Sequence, residues 1–327
     1  MEVDAAHWDA LLHALGVTDV YYSRGYAGAS AVLAKGIPVL LHLAGRGGDV
    51  LFPCLVREEP HDVVTPYGYG GPLGVGRNPP IDDFANAYEA WCHGRGIVTS
   101  FVVHHPLFAT QALSGRLGFH RVALGGTVAW PLAEPELEAR MHKHHRRMVR
   151  RAEARGLSAS ADAAPEALSG FVALYEAAMR RLDAAPFYLF PPAYWEAMQR
   201  EVALTLVEVR DPEGGLVAGV LGMGEPPWLH YHLGAAAEAA RGTGASHLAL
   251  LTLAQAGKDG GYDTLHLGGG VGGRADSLLE FKLRFAPDGL IGSELGKAVH
   301  DVAAYARLTG EDSVDWESFF PAYRAPP

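Results

Sequence analysis

Cysteine is scarce in this sequence, which excludes a disulfide framework. The 327 residues include two cysteines, Cys54 and Cys92, and neither belongs to a CxxC pair, so two reduced structural thiols are predicted. No run of about 18 apolar residues occurs, which argues against a membrane span. The first residues also lack the basic and apolar regions of a signal peptide. We therefore expect a cytoplasmic protein.

Two common catalytic signatures are missing as well. The sequence contains no GxSxG elbow, which would present a serine nucleophile, and no HExxH motif or paired Cys/His spacing. The 16 histidines are therefore interpreted as a compositional feature without a metal-binding role, and as phosphate contacts. This includes the clustered His104, His105, His142, His144 and His145. The sequence predicts no metal site.

Charge is distributed unevenly along the chain. The formal net charge of −10 opposes non-specific binding to nucleic acid, yet residues 142–155 form a basic segment. Its lysine and arginine side chains are Lys143, Arg146, Arg147, Arg150, Arg151 and Arg155. A solvated helix face is the alternative, but this density of positive charge is local in an acidic chain. We predict a phosphate-binding patch whose affinity depends strongly on salt.

Hydrophobic periodicity and turn residues divide the chain into alternating helices and strands. Helices are predicted at residues 5–15, 82–95, 136–154, 168–181, 193–202 and 246–258. Strands are predicted at residues 20–22, 37–44, 50–56, 98–103, 127–130, 203–209, 216–223, 228–233 and 264–267, with a loop at 65–72. The order of helices and strands in the first half is a shorter version of the order in the second half. The sequence thus favours an α/β fold with mixed sheets, in two related domains that meet at the basic helix.

One stretch in the last third of the chain carries the clearest signal for a site. Residues 262–270 are typical of a buried strand followed by a glycine-rich turn, and residues 276–282 of a short helix with an exposed lysine, Lys282. Glycines after a strand let the backbone approach a ligand closely, because no Cβ intervenes. A lysine on the next element can deliver a positive charge to the same place.

Four segments resemble the Fem-type aminoacyltransferases (the FemABX group) and their relatives in the GNAT superfamily. They are the tyrosine- and glycine-rich loop, the basic helix, a tyrosine- and arginine-containing segment, and the glycine turn with its lysine helix: residues 65–72, 146–156, 174–188 and 262–282. Each motif alone has low specificity for the family. Together they cover nearly the whole chain in the order of the family.

The resemblance implies two tandem GNAT-like domains and a tRNA-dependent reaction. We expect domain 1 at residues 1–145, domain 2 at 146–297, and a tail at 298–327 that packs back on domain 1. An amino acid would pass from aminoacyl-tRNA, as co-substrate, to an amine, forming a peptide or amide bond without ATP or another cofactor. The chain lacks the long coiled-coil arm of cell-wall members, so a peptidoglycan precursor and a small natural-product amine both remain possible acceptors. A monomer is expected.

Three residues are expected to act in catalysis by this resemblance. Lys282 matches the lysine near the transferred group and would bind the carbonyl oxygen or the tRNA 3′ end, although a lysine snorkelling from a helix is the alternative. Tyr231, on the strand that lines the acyl channel, would act as an acid or hydrogen-bond the carbonyl, unless it is a core tyrosine. Asp263 would orient the glycine turn or accept an amine proton, unless it only caps a turn.

Other residues are expected to bind substrates. The acceptor side would include an arginine pair and aromatic residues, together with the glycine turn and a phenylalanine beside the lysine: Arg180, Arg181, Tyr188, Tyr67, Tyr69, Gly268, Gly269 and Phe281. The acceptor stem of tRNA would contact the basic helix through Lys143, Arg146, Arg147, Arg150 and Arg151. Solvated arginines at a helix end and a structural loop around the two tyrosines are the alternatives.

A second segment favours a different donor. Residues 241–246, Arg-Gly-Thr-Gly-Ala-Ser, nearly match the pyrophosphate loop of acyl-CoA-dependent GNAT enzymes and precede an apolar helix, whose N-terminal amides can bind phosphate. Acyl-CoA-dependent N-acylation of a small amine is therefore the alternative function. A non-catalytic binding protein on the same fold is a third reading, which the intact glycine turn and Phe281–Lys282 pair oppose.

Overall fold

The computed structural model describes residues 1–161 and 167–325. The α-helices are α1 (Trp8–Ala14), α2 (Arg24–Ala34), α3 (Ile81–Gly94), α4 (Leu137–Arg140), α5 (Lys143–Ala154), α6 (Ala167–Arg181), α7 (Pro192–Glu201), α8 (Ala245–Asp259), α9 (Ser277–Leu283) and α10 (Val302–Thr309). The strands are β1 (Gly36–Gly45), β2 (Gly47–Arg57), β3 (Asp62–Val64), β4 (Leu73–Asn78), β5 (Thr99–Val103), β6 (His120–Ala123), β7 (Thr127–Pro131), β8 (Ser158–Ser160), β9 (Leu204–Arg210), β10 (Leu216–Met223), β11 (Trp228–Ala236), β12 (Thr264–Gly269), β13 (Leu290–Ile291) and β14 (Glu294–Val299).

The chain forms two compact units. Unit 1 comprises residues 1–125 and 292–327, and unit 2 comprises residues 126–291. These bounds differ from the domain limits expected at 145/146 and 297/298, because β7 pairs with β12 and therefore belongs to the second sheet, while β14 pairs with β5 and β6 in the first.

Each unit contains one seven-stranded mixed sheet. The sheet of unit 1 has the order β1-β2-β3-β5-β14-β6, with β4 on β2, and the sheet of unit 2 has the order β13-β7-β12-β11-β10-β9-β8. Among the named strands, one pair in each sheet is parallel, β3 with β5 and β11 with β12. In both sheets one strand of the parallel pair has a second neighbour that is distant in sequence. In unit 1, β14 lies beside β5, and in unit 2, β7 lies beside β12. This shared order supports the prediction of two related units.

Buried apolar side chains from the sheets and their covering helices form the cores. In unit 2, β7, β9 to β12 and the apolar helix α8 contribute a core that includes Trp130, Leu229, Leu253, Leu265 and Phe285. In unit 1, β1, β2 and α3 contribute Phe52, Phe84 and Tyr88, and the free thiols of Cys54 and Cys92 are buried there too. None of the described helices has both the length and the hydropathy needed to cross a membrane.

Two predicted elements differ in the structure, and one helix was not predicted. Residues 20–22 form a 3₁₀ turn rather than a strand, because the Asp19 side chain accepts a hydrogen bond from the Tyr21 amide and starts the turn. The helix α2 that follows was not predicted. The basic helix is broken into α4 and α5 at Met141–His142, where neither residue has helical backbone angles and the His142 side chain caps α5.

Candidate active site

The two parallel strands of unit 2 separate at one end. Strands β11 and β12 are paired from Trp228–Thr264 to His230–His266, although β11 continues to Ala236 and β12 to Gly269. The register between β10 and β11 also steps past His232, which makes His232 the extra residue of a β-bulge. Bulges bend a strand and redirect its side chains. Among the described residues, the two strands are no longer paired with each other beyond His230 and His266. The glycine turn and Lys282 lie at these separated ends.

The glycine turn at the end of β12 is closed tightly on itself. Gly268 has a φ of +71°, a conformation that L side chains rarely adopt. A Cβ on Gly270 would overlap the Arg274 carbonyl oxygen and the Asp276 carboxylate. The turn therefore needs glycine for its own packing, in addition to any approach by a ligand.

Asp276 holds the turn and the next helix together. Its carboxylate accepts hydrogen bonds from the backbone amide of Val271 in the turn, at 2.9 Å, and from those of Leu278 and Leu279 in the first turn of α9. Burial alone would raise the pKa of Asp276, but these three amide hydrogen bonds bring it below its ordinary value. The residue is thus an ionised helix cap that fixes where α9 begins relative to the glycines.

Lys282 lies on α9 and is buried rather than exposed as the sequence suggested, with 6% of its surface accessible. Its Nζ donates a hydrogen bond to the Gly269 carbonyl at 2.7 Å and lies 5.1 Å from the centre of the Tyr231 ring, within cation–π range. Burial lowers the pKa of Lys282 to about 8, and the Asp276 carboxylate opposes part of that change. The ammonium has three protons, so the Gly269 carbonyl leaves donor capacity for a substrate.

Tyr231 is the second group at this centre. It lies on β11 directly before the bulge, and burial raises the pKa of its hydroxyl to about 12, so the hydroxyl stays protonated at neutral pH. A Cβ on Gly234 would lie 2.5 Å from the Tyr231 oxygen, which shows that the phenol folds back over the glycine. Tyr231, Lys282 and Gly269 therefore form one cluster, and the catalytic roles expected of Tyr231 and Lys282 stay predictions.

Asp263 does not belong to this cluster. It is exposed and precedes β12, where its amide donates to the Pro227 carbonyl and its carbonyl accepts from the Leu132 amide. Lys282 contacts the other end of the same strand. At about 3.3 Å per strand residue, the length of β12 separates the two, so the structure does not support a catalytic role for Asp263 beside Lys282.

Phe281 faces away from the Lys282 centre. Its ring packs against the imidazoles of His145 and His247, with ring centres 5.1 Å apart in both pairs, and against Phe285 at 5.3 Å. Successive residues of a helix project about 100° apart. Phe281 therefore anchors α9 to α5 and α8, which positions Lys282 rather than lining an open substrate pocket.

The arginine pair at the end of α6 is engaged in ion pairs. Arg180 pairs with Glu176 at 2.8 Å, and Arg181 pairs with Glu238 at 2.9 Å and donates to the Ala236 carbonyl. Both arginine side chains are exposed, so these pairs contribute little stability. Tyr188 follows in a short 3₁₀ turn next to the exposed ring of Phe187.

The basic helix α5 presents one cationic face to solvent. Its exposed cations recur at helical spacing, and the opposite face is buried against unit 2 by His145, Met148, Val149 and Ala152. The exposed members are Lys143, Arg147, Arg150, Arg151 and the following Arg155. Arg146 differs, because its guanidinium donates to the carbonyls of Ala139 and Met141 and so caps α4. The cationic face is thus present without Arg146 as a free member, and phosphate binding by this face stays a prediction.

The glycine loop before α8 is covered by α5. Gly244 is the N-cap of α8 with a φ of +96°, and a Cβ there would overlap the Met148 carbonyl of α5. The Thr243 hydroxyl accepts a hydrogen bond from the Ala245 amide at 3.2 Å. Helix packing therefore explains Gly244 without a bound pyrophosphate, whereas a Cβ on Gly242 would meet no atom of the described residues within 4 Å.

Tyr67 and Tyr69 lie in unit 1 on a loop that is well anchored there. The Tyr26 hydroxyl donates to the Tyr67 carbonyl at 2.6 Å, and the rings of Tyr21 and Tyr69 meet edge to face at 5.4 Å. The Thr110 hydroxyl donates to the Gly70 carbonyl at 2.9 Å. These contacts fix a loop whose glycines alone would leave it mobile.

A cavity of about 880 Å³ lies apart from this centre, between α4, α5 and α8. Acidic, basic and apolar side chains line it, among them Glu136, Glu138, Arg146, Arg150, Leu248 and Leu251. Lys282 and Tyr231 are not among its lining residues, so the cavity is separate from the Lys282 centre.

Sequence patterns did not reveal the capping role of Asp276 or the meeting of His145 with His247. Asp276 could have been recognised, because an aspartate before an apolar helix is a common N-cap. His145 and His247 could not, because α5 and α8 are distant in sequence and only the fold brings their imidazoles together, with ring centres 4.5 Å apart.

Comparisons with known proteins agree with this architecture. Residues 139–282 match a family described as an acetyltransferase (GNAT) domain. A comparison with curated protein sequences found no match.

Several solved structures share the fold at low sequence identity. FemX is 14% identical with a TM-score of 0.63, over 90% of this chain and 96% of that chain. L-PGS from Bacillus licheniformis is 17% identical with a TM-score of 0.61, over 90% and 92%. A tandem GNAT protein from the clavulanic acid biosynthesis pathway is 10% identical with a TM-score of 0.52, over 92% and 98%. The predicted fold class is confirmed, since the chain shares its fold with FemX, L-PGS and the tandem GNAT protein, and its residues 139–282 match a GNAT domain.

Proposed function

We propose that this protein transfers an amino acid from aminoacyl-tRNA to an amine and so forms an amide bond. The observation that carries the proposal is the pairing of two features in unit 2: a buried lysine with donor capacity at the separated strand ends, and an exposed cationic face on α5. The first suits acyl transfer to an amine, and the second suits a phosphate-rich donor. The fold shared with FemX and L-PGS adds support.

Lys282 is assigned to the developing negative charge. When an amine attacks the ester carbonyl, the carbonyl oxygen becomes an oxyanion, and a fixed donor aimed at that oxygen lowers the barrier. The Lys282 ammonium is held by the Gly269 carbonyl and the Tyr231 ring, so it needs little reorganisation during the reaction. The protonated Tyr231 hydroxyl is assigned as a second donor, to the carbonyl or to the departing 3′ oxygen of the tRNA.

The cationic face of α5 is assigned to the phosphates of the tRNA acceptor stem. Lys143, Arg147, Arg150 and Arg151 are exposed, and their spacing follows one side of the helix. Such a face binds a phosphate backbone without reading sequence. Because Phe281 packs on His145 of this helix, the same element joins the proposed tRNA surface to the helix that carries Lys282.

A pH dependence of turnover follows from the Lys282 centre. The lysine must be protonated to act as a donor, and burial lowers its pKa to about 8. We expect kcat to fall as the pH rises through about 8, after an initial rise at lower pH as the acceptor amine loses its proton. A pH profile of kcat checks this. An activity that keeps rising between pH 8 and 10 would instead assign Lys282 to the neutral, base form.

The acyl-CoA alternative makes a different prediction at the loop before α8. Gly244→Ala is expected to lower the melting temperature with any donor, because the new Cβ would overlap the Met148 carbonyl, so it cannot distinguish the two functions. Arg241 can, since its side chain is 87% exposed. Under the tRNA proposal acetyl-CoA leaves the melting temperatures of wild type and Arg241→Glu unchanged. A rise in wild type that Arg241→Glu abolishes would favour acyl-CoA as the donor.

A further inference from the structure

Three histidines from two helices converge beneath α9. His144 and His145 lie in the first turn of α5, and His247 lies in the first turn of α8. One ring nitrogen from each lies within 4.8 Å of the other two. The aromatic rings of Phe281 and Phe285 pack around His145 and His247.

The hydrogen bonds at this cluster leave an acceptor nitrogen of His145 facing His144. The Nε2 of His145 donates to the Phe281 carbonyl at 2.9 Å, so its Nδ1 carries a lone pair. The Nδ1 of His144 lies 3.5 Å from it, donating a long hydrogen bond in one tautomer and presenting a lone pair in the other. The Nε2 of His247 is buried, and among the residues that the structure describes it has no hydrogen-bond partner. A buried polar atom without a partner is costly, which calls for a ligand that the imidazole nitrogen can bind.

We propose that His144, His145 and His247 form a binding site for a divalent transition metal of the Zn²⁺ type. Imidazole suits Zn²⁺, Co²⁺ and Ni²⁺. With Zn–N distances of about 2.0–2.1 Å in a tetrahedral site, neighbouring ligand nitrogens are about 3.3 Å apart, close to the separation between His144 and His145. The hydrogen bond from His145 to a backbone carbonyl is the outer-sphere contact that metal-bound histidines usually make.

The charge state of the cluster is compatible with a metal. Burial lowers the pKa of His145 to about 4 and that of His247 to about 3, so both imidazoles are neutral near pH 7, as ligation requires. The His144 pKa is lowered by burial and by the nearby Arg147 and Arg284. These two cations oppose a bound dication, so we expect weaker affinity than three imidazoles would give in neutral surroundings. The partly exposed His144 ring provides the route from solvent.

A metal at this position would join α5 and α8 directly. Through His145 and the Phe281 carbonyl it would also fix α9, which carries Lys282. The proposed site is independent of the donor that the protein uses, because neither tRNA nor acyl-CoA takes part in the ligation.

The test is direct metal binding by the full-length protein, purified without a histidine tag and freed of metal. Co²⁺ is titrated and followed by its visible absorption, and Zn²⁺ is then added as competitor. We expect one Co²⁺ per chain with the absorption of a four-coordinate site, displaced by Zn²⁺, and a higher melting temperature with metal. His144→Gln and His247→Gln should each weaken binding at least about tenfold.

The controls separate ligand loss from misfolding. His13→Gln removes an exposed histidine of unit 1 and should bind Co²⁺ like wild type. If His247→Gln fails to fold, His144→Gln decides, because its ring is partly exposed; its melting temperature without metal should match wild type. Absence of binding by wild type, or equal binding by wild type and His144→Gln, would overturn the proposal.

Discussion

Replacing Lys282 with methionine is expected to lower kcat for amide formation by about 10²–10³-fold, the cost of removing one donor to an oxyanion. Methionine keeps an unbranched apolar stem of similar length and removes the ammonium. The fold should survive, because burial disfavours the charged form of this lysine and methionine keeps the apolar packing. The Gly269 carbonyl loses its donor, which costs about 1–3 kcal/mol. Steady-state kinetics and thermal unfolding, measured on the same preparation, check the two halves of this prediction.

Lys258→Met is the matched control for that substitution. Lys258 lies on α8 in the same unit and also donates to backbone carbonyls, those of Glu134 and Pro135 at 2.6 and 2.9 Å. The variant should keep wild-type kcat, whatever its effect on stability. Equal losses of activity in the two lysine variants would mean that both act through the fold, and the assignment of Lys282 to the oxyanion would fail.

Reversing two charges on the exposed face of α5, as Arg147→Glu with Arg151→Glu, is expected to weaken tRNA binding on the order of 10²-fold near 0.1 M salt. Two attractions to phosphate are lost and two repulsions take their place. The slope of log K against log salt should become shallower by about 2, one for each lost phosphate contact. Binding measured across a salt series checks both numbers.

The pair Arg77→Glu with Arg307→Glu has the same change in net charge and serves as the control. Both side chains are exposed in unit 1, and we expect a salt slope equal to that of wild type. Arg146 is left unchanged in either variant because it caps α4. If both double variants weaken binding equally, net charge rather than α5 governs the interaction, and the proposed tRNA surface is wrong.

Much of the fold could be predicted from sequence because local signals dominate it. The β1–β2 hairpin has two apolar runs around a glycine-rich turn, and α3, α6 and α8 have apolar residues at helical spacing. The 3₁₀ turn at Val20–Tyr22 misled the prediction, since apolar and aromatic residues alone are also typical of a strand. Here the hydrogen bond from the Tyr21 amide to the Asp19 side chain decided the conformation. A prediction from hydrophobic periodicity gives little weight to a single capping side chain.

Local sequence patterns indicated the site only where its residues are near one another in the chain, whereas Tyr231 was named through the resemblance to the Fem-type group. The glycine turn and Lys282 lie within one strand–turn–helix unit, so their proximity was visible. Asp263 shows the limit of that reasoning: it is close to the glycines in sequence but precedes β12, while Lys282 contacts the other end of the strand. Burial of Lys282 and the meeting of His145 with His247 depend on packing between distant helices, which no local pattern records.

The most direct test of the account is a transfer assay with two donors in parallel. Purified protein is mixed with a small-molecule extract of the source cell and either tRNA charged with labelled amino acids or labelled acetyl-CoA, and Lys282→Met is run beside wild type. We expect label from tRNA in an RNase-resistant product with wild type and little with the variant. Label from acetyl-CoA alone would contradict the tRNA donor, and label from neither donor, with charged tRNA still bound, would favour a binding protein on this fold.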